Sequence, residues 1–141
     1  MQLMKIAAGL TVAAALLPTT AAARTSSSGV DGVYRVTWTE KELAAAGTSQ
    51  RYGHVNCPSR CVLTLTLRDG RLRIHGIPPP DCLGTYVASG TTISIKEGPG
   101  CRGFIKASWS LRNSQLRLRV TRATDPGDRV LFGGKPWKKI G

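Results

Sequence analysis

The sequence predicts an all-β protein: an antiparallel up-and-down barrel of about eight strands, with one short helix after the first strand. Three observations favour this fold. Turn signals recur at near-regular spacing, apolar and polar residues alternate between them, and neighbouring segments bring their apolar faces together when each turn is taken as a hairpin loop. A closed barrel also removes the unpaired strand edges that promote aggregation. A two-sheet sandwich made from the same strands is the alternative.

Three hairpins support the prediction most directly. Their loops are Asp69-Gly70, Ser89-Gly90 and Asn113-Ser114, and Asp-Gly in particular suits a two-residue type I′ turn. The residues paired across these loops are Leu67 with Leu72, Leu65 with Ile74, Tyr86 with Ile93, Gly84 with Ile95, Leu111 with Leu116, Trp109 with Leu118, and Ala107 with Val120. Since a shift of one residue reverses every side chain, the agreement at three loops indicates antiparallel strands.

The two ends of the predicted domain are less regular. Residues 32–38 (GVYRVTW) alternate as a first strand, and Thr39 with Glu42 forms a capping box that starts the short helix. Residues 125–128 (DPGD) indicate a turn. The chain from Arg129 to Phe132 is predicted as a short last strand.

The N-terminus has the pattern of a secretory signal peptide. Lys5 precedes an apolar run of 12 residues, 6–17, and Ala21-Ala22-Ala23 matches a small-residue cleavage site. That run is too short to span a bilayer, which takes about 20 apolar residues, and no other segment is apolar enough to do so. We therefore expect a signal peptide over residues 1–23 with cleavage after Ala23, a flexible leader over 24–29, and a secreted barrel domain over 30–141.

The cysteines predict a disulfide framework. All four lie in the part expected to be exported, where disulfides persist, and four cysteines allow three pairings. In the predicted hairpin Cys82 falls opposite Glu97, but a bulged turn over 97–100 would return Cys101 to it. The predicted bridges are Cys57–Cys61 and Cys82–Cys101. Because exported cysteines form disulfides more often than zinc sites, no metal is expected.

The chain is strongly basic, with 20 Lys and Arg against 8 Asp and Glu and a formal net charge of +12. Such a surface attracts polyanions, although it also serves solubility. The hairpin alternation turns several cations outward. The candidate polyanion-binding residues are Arg71, Arg73, Lys106, Arg117 and Arg119. Aromatic residues do not interleave with them, so nucleic-acid recognition by base stacking is only weakly supported.

The same alternation turns a set of mostly apolar residues into the barrel. They are Tyr34, Val36, Trp38, Leu63, Leu65, Leu67, Leu72, Ile74, Tyr86, Ile93, Ile95, Ile105, Trp109, Leu111, Leu116, Leu118 and Val120. Eight-stranded barrels are often just wide enough to be filled by side chains. The interior is therefore either a packed core or an apolar ligand cavity with aromatic walls.

Residues 32–47, 63–74, 82–95 and 101–141 together resemble a lipocalin-like (calycin) exported domain of high-GC Gram-positive bacteria, found alone or attached to solute-binding proteins. The resemblance covers nearly the whole predicted domain and implies a lipocalin-like barrel for a small, mostly apolar ligand. It also implies a basic residue packed inside against first-strand aromatics, a role that Arg122 fits. The candidate ligand-binding residues are Tyr34, Trp38, Tyr86, Trp109 and Arg122.

No catalytic arrangement is visible in the sequence. His75 falls on the outer face and His54 in a loop, and no serine-hydrolase, zinc-protease or phosphate-loop motif occurs. The sequence thus predicts a secreted, non-catalytic binding protein without a cofactor, whose partner is a small apolar ligand. The alternatives are a basic module that docks on anionic cell-envelope polymers or nucleic acid, and a protein-binding or inhibitor module.

Overall fold

The structure, a computed structural model, describes residues 29–46, 59–76, 81–99 and 101–141. The predicted signal peptide, the leader up to residue 28, and the residues His54 and Cys57 lie outside these ranges.

The described residues form eight strands and two short helices. The strands are β1 (Gly32–Thr39), β2 (Arg60–Arg68), β3 (Arg71–His75), β4 (Cys82–Ser89), β5 (Thr92–Glu97), β6 (Phe104–Arg112), β7 (Gln115–Ala123) and β8 (Trp137–Lys139). The helices are α1 (Glu40–Ala45), after β1, and α2 (Pro126–Gly133), between β7 and β8. Each strand pairs antiparallel with the next and β8 returns to β1, so the sheet is a closed barrel. The predicted fold class is confirmed.

Two of the three predicted hairpin registers are confirmed. The residues across Asp69-Gly70 and across Asn113-Ser114 pair as expected. Asp69 and Gly70 have φ values of 49° and 77°, the left-handed values that a type I′ turn requires at both central positions. The short hairpin loop and the in-phase apolar residues therefore fix the register together.

The β4–β5 register differs from the prediction by two residues. Tyr86 faces Ile95, so the loop is Gly90-Thr91 rather than Ser89-Gly90. Gly90 is the loop residue with a left-handed φ, 57°, and it occupies the first loop position rather than the second. Because the shift is even, every side chain stays on its predicted face.

The β6–β7 pair contains an irregularity that turns Arg122 outward. Ala107 pairs with Val120, whereas Lys106 pairs with Arg122, so Thr121 is an extra residue on β7. Beyond this bulge the alternation is reversed, and Arg122 is exposed. The predicted inward placement of Arg122 is wrong for this reason.

The first helix begins as its capping box predicts. The Thr39 hydroxyl accepts a hydrogen bond from the Glu42 N–H at 3.2 Å, and the Glu42 carboxylate accepts one from the Thr39 N–H at 2.9 Å. Leu43 is buried and joins Trp38 in the hydrophobic core. The residues before and inside the helix thus fix the direction in which the chain leaves β1.

The predicted last strand over Arg129 to Phe132 is wrong, because these residues belong to α2. Asp125 caps this helix by accepting a hydrogen bond from the Gly127 N–H at 2.7 Å. Pro126 lies in the first turn, where the backbone N–H that proline lacks has no helical partner in any case. The true last strand is β8, which pairs with both β7 and β1.

Trp137 closes the barrel between β7 and β1. It pairs with Leu116, is fully buried, and donates a hydrogen bond from Nε1 to the Phe132 carbonyl oxygen at 3.1 Å. Phe132, on α2, is also fully buried, and its ring centroid lies 6.1 Å from that of Trp137. Since β8 has only three residues, α2 covers β7 beyond the point where β8 begins.

The role of Trp137 predicts a large effect of truncation. Trp137→Ala should lower the free energy of unfolding by about 3–5 kcal/mol, because it leaves a cavity where the barrel closes. Val87→Ala is the control, since Val87 is 71% exposed and should change stability by less than about 0.5 kcal/mol. Urea denaturation of both variants measures the difference. If Trp137→Ala lowered the free energy of unfolding by less than about 1 kcal/mol, Trp137 would not be the residue that stabilises barrel closure.

Candidate functional site

The barrel interior is packed with side chains. Fifteen of the seventeen residues predicted to point inward are buried, and Trp109 and Leu111 are partly buried. Tyr34, Ile95 and Trp137 each have 0% exposed surface. A side chain with no accessible surface borders no space that a water molecule could enter, so these residues form a filled core rather than cavity walls.

The tyrosines predicted to line a pocket are engaged by the segment that precedes β1. The Tyr34 hydroxyl donates to the Val30 carbonyl oxygen at 2.7 Å, and the Tyr86 hydroxyl donates to the Asp31 carboxylate. Burial, with the charge of Asp31 and the Tyr86 hydroxyl nearby, raises the pKa of Tyr34 to about 12. Val30 is fully buried. These hydroxyls therefore hold the chain against one end of the barrel.

Two lysines take the place over the aromatic rings that was predicted for Arg122. Lys139 Nζ lies 6.0 Å from the centroid of the Tyr34 ring, and Lys135 Nζ lies 4.9 Å from that of Trp38. Lys135 also donates to the Thr37 carbonyl oxygen at 2.9 Å. A cation over an aromatic face contributes about 0.5–2 kcal/mol, so these lysines have a structural role.

Lys135 is also bound by a carboxylate of the first helix. Its Nζ lies 2.6 Å from Glu42 Oε1. The hydrogen bond from Lys135, with that of the Thr39 backbone, holds the pKa of Glu42 below its usual value. Lys135 therefore links the chain before β8 to β1 and α1.

The predicted Cys82–Cys101 bridge, at the start of β4, is confirmed with a Cα–Cα distance of 5.2 Å. The corrected register explains it: Leu83 N–H donates to the Pro99 carbonyl oxygen, and Cys101 N–H donates to that of Gly98, so a tight turn returns the chain. Cys61 is also disulfide-bonded. The predicted partner Cys57 lies outside the described residues.

Glu97 lies half-buried beside this bridge. Its Oε1 is 3.8 Å from Cys82 Sγ, and a side chain at Gly103 would collide with both the Glu97 and the Asp128 carboxyl groups. Cys82, Cys101 and Glu97 are close enough together to hold a metal ion, but the two sulfur atoms are bonded to each other. Burial, with the nearby carboxylates of Asp128 and Asp125, raises the pKa of Glu97 from 4.5 to about 7.

This raised pKa predicts a pH-dependent stability. The folded protein holds the Glu97 proton more tightly than the unfolded chain does, so stability falls as the pH rises from about 4.5 to 7. Glu97→Gln should therefore exceed the wild type by about 1–2 kcal/mol at pH 8 and match it at pH 4.5, after allowance for partial exposure. Urea denaturation at both pH values tests this.

Glu42→Gln is the matched control for this experiment, because the pKa of Glu42 is shifted in the opposite direction. It removes an ionised partner of Lys135, so it should weaken the fold at pH 8 and lose that effect as the pH falls. Equal behaviour of the two variants would show that Glu97 is not the group responsible.

The outer wall of the barrel, defined as the outward-facing side chains of β1 to β8, is cationic. The strands contain thirteen lysines and arginines: Arg35, Arg60, Arg68, Arg71, Arg73, Lys96, Lys106, Arg112, Arg117, Arg119, Arg122, Lys138 and Lys139. Their single carboxylate is Glu97, half-buried beside the disulfide. The other carboxylates of the described ranges lie in loops and helices. Positive charges are therefore concentrated on the strands, and negative charges in the loops and helices.

The structure brings together some of the predicted polyanion-binding residues and separates others. Lys106, Arg117 and Arg119 lie on the paired strands β6 and β7 and are all exposed. Arg71 and Arg73 lie on β3, two strands before β5. Arg73 donates from Nε to Asp81 at 2.7 Å. Among the described residues no carboxylate forms an ion pair with the other four.

Sequence reasoning missed two wall residues that link these groups. The pairings place Arg68, Arg71, Thr85, Lys96 and Phe104 in one continuous row across β2 to β6. Arg68 and Lys96 are exposed members of that row. The signal that could have found them is their phase, since each alternates with an inward apolar neighbour.

A groove of about 410 Å³ runs along the wall beside α2. Its lining includes Arg117 and Arg119, the hydroxyl-bearing Ser108 and Ser110, and the segment Gly133 to Pro136. Arg117 and Arg119 are two residues apart on one strand, which places them about 6.6–6.8 Å apart along it. Ser108 pairs with Arg119 and Ser110 pairs with Arg117, so the groove offers successive positive charges with a hydroxyl group beside each.

No protein-family model, curated protein or solved structure matches the chain. Within the described ranges, neither helix is long and apolar enough to cross a membrane. The disulfide is compatible with a secreted protein. The barrel fold is compatible with a binding protein, and the geometry of its wall is the basis for a more specific function.

Proposed function

We propose that the protein is a secreted, non-catalytic binding module whose outer wall docks on an anionic polymer of the cell envelope. The observation that carries the proposal is the distribution of charge on the strands, thirteen cations against one half-buried carboxylate. A surface that concentrates one sign of charge raises the local concentration of an oppositely charged polymer and speeds its association. The lipocalin-like family assignment is part of the same proposal and is supported by the eight-stranded closed barrel.

The wall is a better site than the interior for a physical reason. The interior side chains have little or no accessible surface, and the hydroxyls of Tyr34 and Tyr86 are used within the protein. On the wall, by contrast, Lys106, Arg117 and Arg119 keep their full hydrogen-bonding capacity for a ligand, because no described carboxylate pairs with them. Binding an anion there requires no rearrangement of the core.

The absence of catalysis is part of the proposal and is supported by the surroundings of the titratable groups. His75 is exposed on β3, and its Nδ1 lies 2.9 Å from Asp81 Oδ1. Hydrogen bonds from His75 and Arg73 hold the pKa of Asp81 below its usual value. The described cysteines are all disulfide-bonded, so none of them offers a thiol nucleophile beside Glu97 or this pair.

Binding to a poly(glycerol phosphate) wall polymer should fall steeply with salt, because polymer counterions are released on binding. Arg117→Ala/Arg119→Ala should weaken binding and reduce the slope of log K against log salt by roughly two, about one for each lost phosphate contact. The matched control is Lys41→Ala/Arg102→Ala, which also removes two exposed charges but lies off the strands. Titration calorimetry between 50 and 200 mM salt measures both.

The outcomes distinguish binding at the outer wall from a general effect of net charge and from binding of an apolar ligand. Equal losses in the two double variants would reduce the effect to overall charge and contradict the proposal. An apolar fluorescent probe tests for an apolar-ligand site in parallel. Trp109 is its sensor, because it is partly exposed and lines the groove beside Arg117 and Arg119, and its indole N–H has no hydrogen-bond partner among the described residues. Tight probe binding that is lost in Trp109→Ala, without polymer binding, would overturn the proposal in favour of an apolar ligand.

A further inference from the structure

Two arginines face each other across the β2–β3 turn, and within the described ranges no carboxylate forms an ion pair with either of them. Arg68 and Arg71 are direct cross-strand partners, and both are exposed. Like charges in this arrangement destabilise a sheet, and opposite charges are the favourable choice. Asp69, in the turn between them, forms no ion pair with either within the described ranges. The sequence therefore keeps an unfavourable pair that an anion between the two side chains would relieve.

The surroundings of this pair form a shallow concavity of about 770 Å³ on the outer wall. Thr85 pairs with Arg71, and Thr66 lies two residues before Arg68 on the outward face of β2, so a hydroxyl stands next to each of these two arginines. Leu83, 46% exposed, supplies an apolar surface beside them. Arg73 on the same lining is already held by Asp81, which leaves Arg68 and Arg71 as the groups available to a ligand.

We infer that this concavity, the arginine-pair site, binds the phosphate group of a phosphate ester. A guanidinium presents a planar fork of N–H donors that matches the oxygens of phosphate, and two forks with two hydroxyls can engage several oxygens of one tetrahedral group. A carboxylate has only two oxygens and leaves donors unused. The exposed Leu83 side chain contacts the carbon chain that carries the phosphate. The inference rests on the proposed function and names phosphate as the polymer's recognised group.

The turn residue Asp69 provides a sharp test. Asp69 lines the concavity, and its negative charge opposes an incoming anion by charge repulsion. Asparagine is equally suited to its left-handed backbone, since Asn-Gly is a favoured type I′ sequence. Asp69→Asn therefore removes the repulsion without disturbing the turn, while Arg68→Ala/Arg71→Ala removes the attraction.

The first experiment titrates sn-glycerol 1-phosphate, glycerate and inorganic phosphate into the protein and follows the backbone amide resonances by NMR. The expected result is saturable shifts at Arg68, Arg71 and Thr85, with glycerol phosphate binding about tenfold more tightly than glycerate. Arg68→Ala/Arg71→Ala should lower the affinity for the phosphate ester about tenfold or more. Asp69→Asn should raise this affinity by roughly two- to fivefold. The control Lys41→Ala/Arg102→Ala should leave the affinity for the phosphate ester unchanged.

Three results would overturn the inference: shifts spread over the wall without saturation at this turn, equal affinity for glycerate, or inorganic phosphate binding as tightly as the ester. The last result would indicate a site for free phosphate and no role for the carbon chain. Misfolding is checked by urea denaturation. Arg68→Ala/Arg71→Ala should unfold no earlier than the wild type, because it removes a like-charge pair.

The second experiment uses poly(glycerol phosphate) itself and separates this inference from the proposed function. Binding that is weakened at least fivefold by Arg68→Ala/Arg71→Ala supports both. If Arg117→Ala/Arg119→Ala weakens polymer binding and Arg68→Ala/Arg71→Ala does not, the wall is a polyanion-binding surface. The arginine-pair inference then fails, while the proposed function stands. If no polymer binds at near-physiological salt, both fail.

Discussion

Closure of the sheet by β8 is the constraint on which the rest of the structure depends. Three residues, Trp137 to Lys139, pair with β7 on one side and with β1 on the other. Without them, both neighbouring strands would present open edges. So short a strand is held by what surrounds it: the Trp137 ring is buried against α2, and Lys135 binds back to β1 and α1. The contacts that close the barrel are therefore also contacts of its packed core.

The wall is built at some cost to that stability. Cross-strand cations such as Arg68 and Arg71, or Lys106 and Arg122, repel each other on a fold that has few carboxylates to offset them. Asp81 forms an ion pair with the strand residue Arg73, Glu42 with Lys135, and Asp125 caps a helix. The disulfide and the buried contacts of Trp137 with Phe132 offset the repulsion. A surface that is unfavourable for folding is consistent with a surface that serves binding.

Local signals made most of the barrel predictable, and non-local ones limited the prediction. The Asp69-Gly70 turn fixes its own register, because turn type and apolar phase agree. The bulge at Thr121 is accompanied by contacts between residues distant in sequence: the Thr121 hydroxyl donates to the Lys106 carbonyl oxygen, and Arg129 on α2 donates to that of Val120. Alternation within β7 alone does not encode these contacts, so it predicts the wrong face for Arg122. The Asp-Pro sequence that caps α2 is equally typical of a turn, so it does not by itself predict the helix. The packed interior was not predictable, since filling depends on the summed volumes of distant side chains.

The alternation along the strands has a further consequence. Residues that determine folding point inward and those proposed to determine binding point outward, so the two sets share a backbone but almost no side chains. Selection can then alter one set with little penalty from the other. A filled barrel of this kind is an evolvable scaffold, whose partner can change by substitutions on its exterior while its interior volume and strand order remain the same.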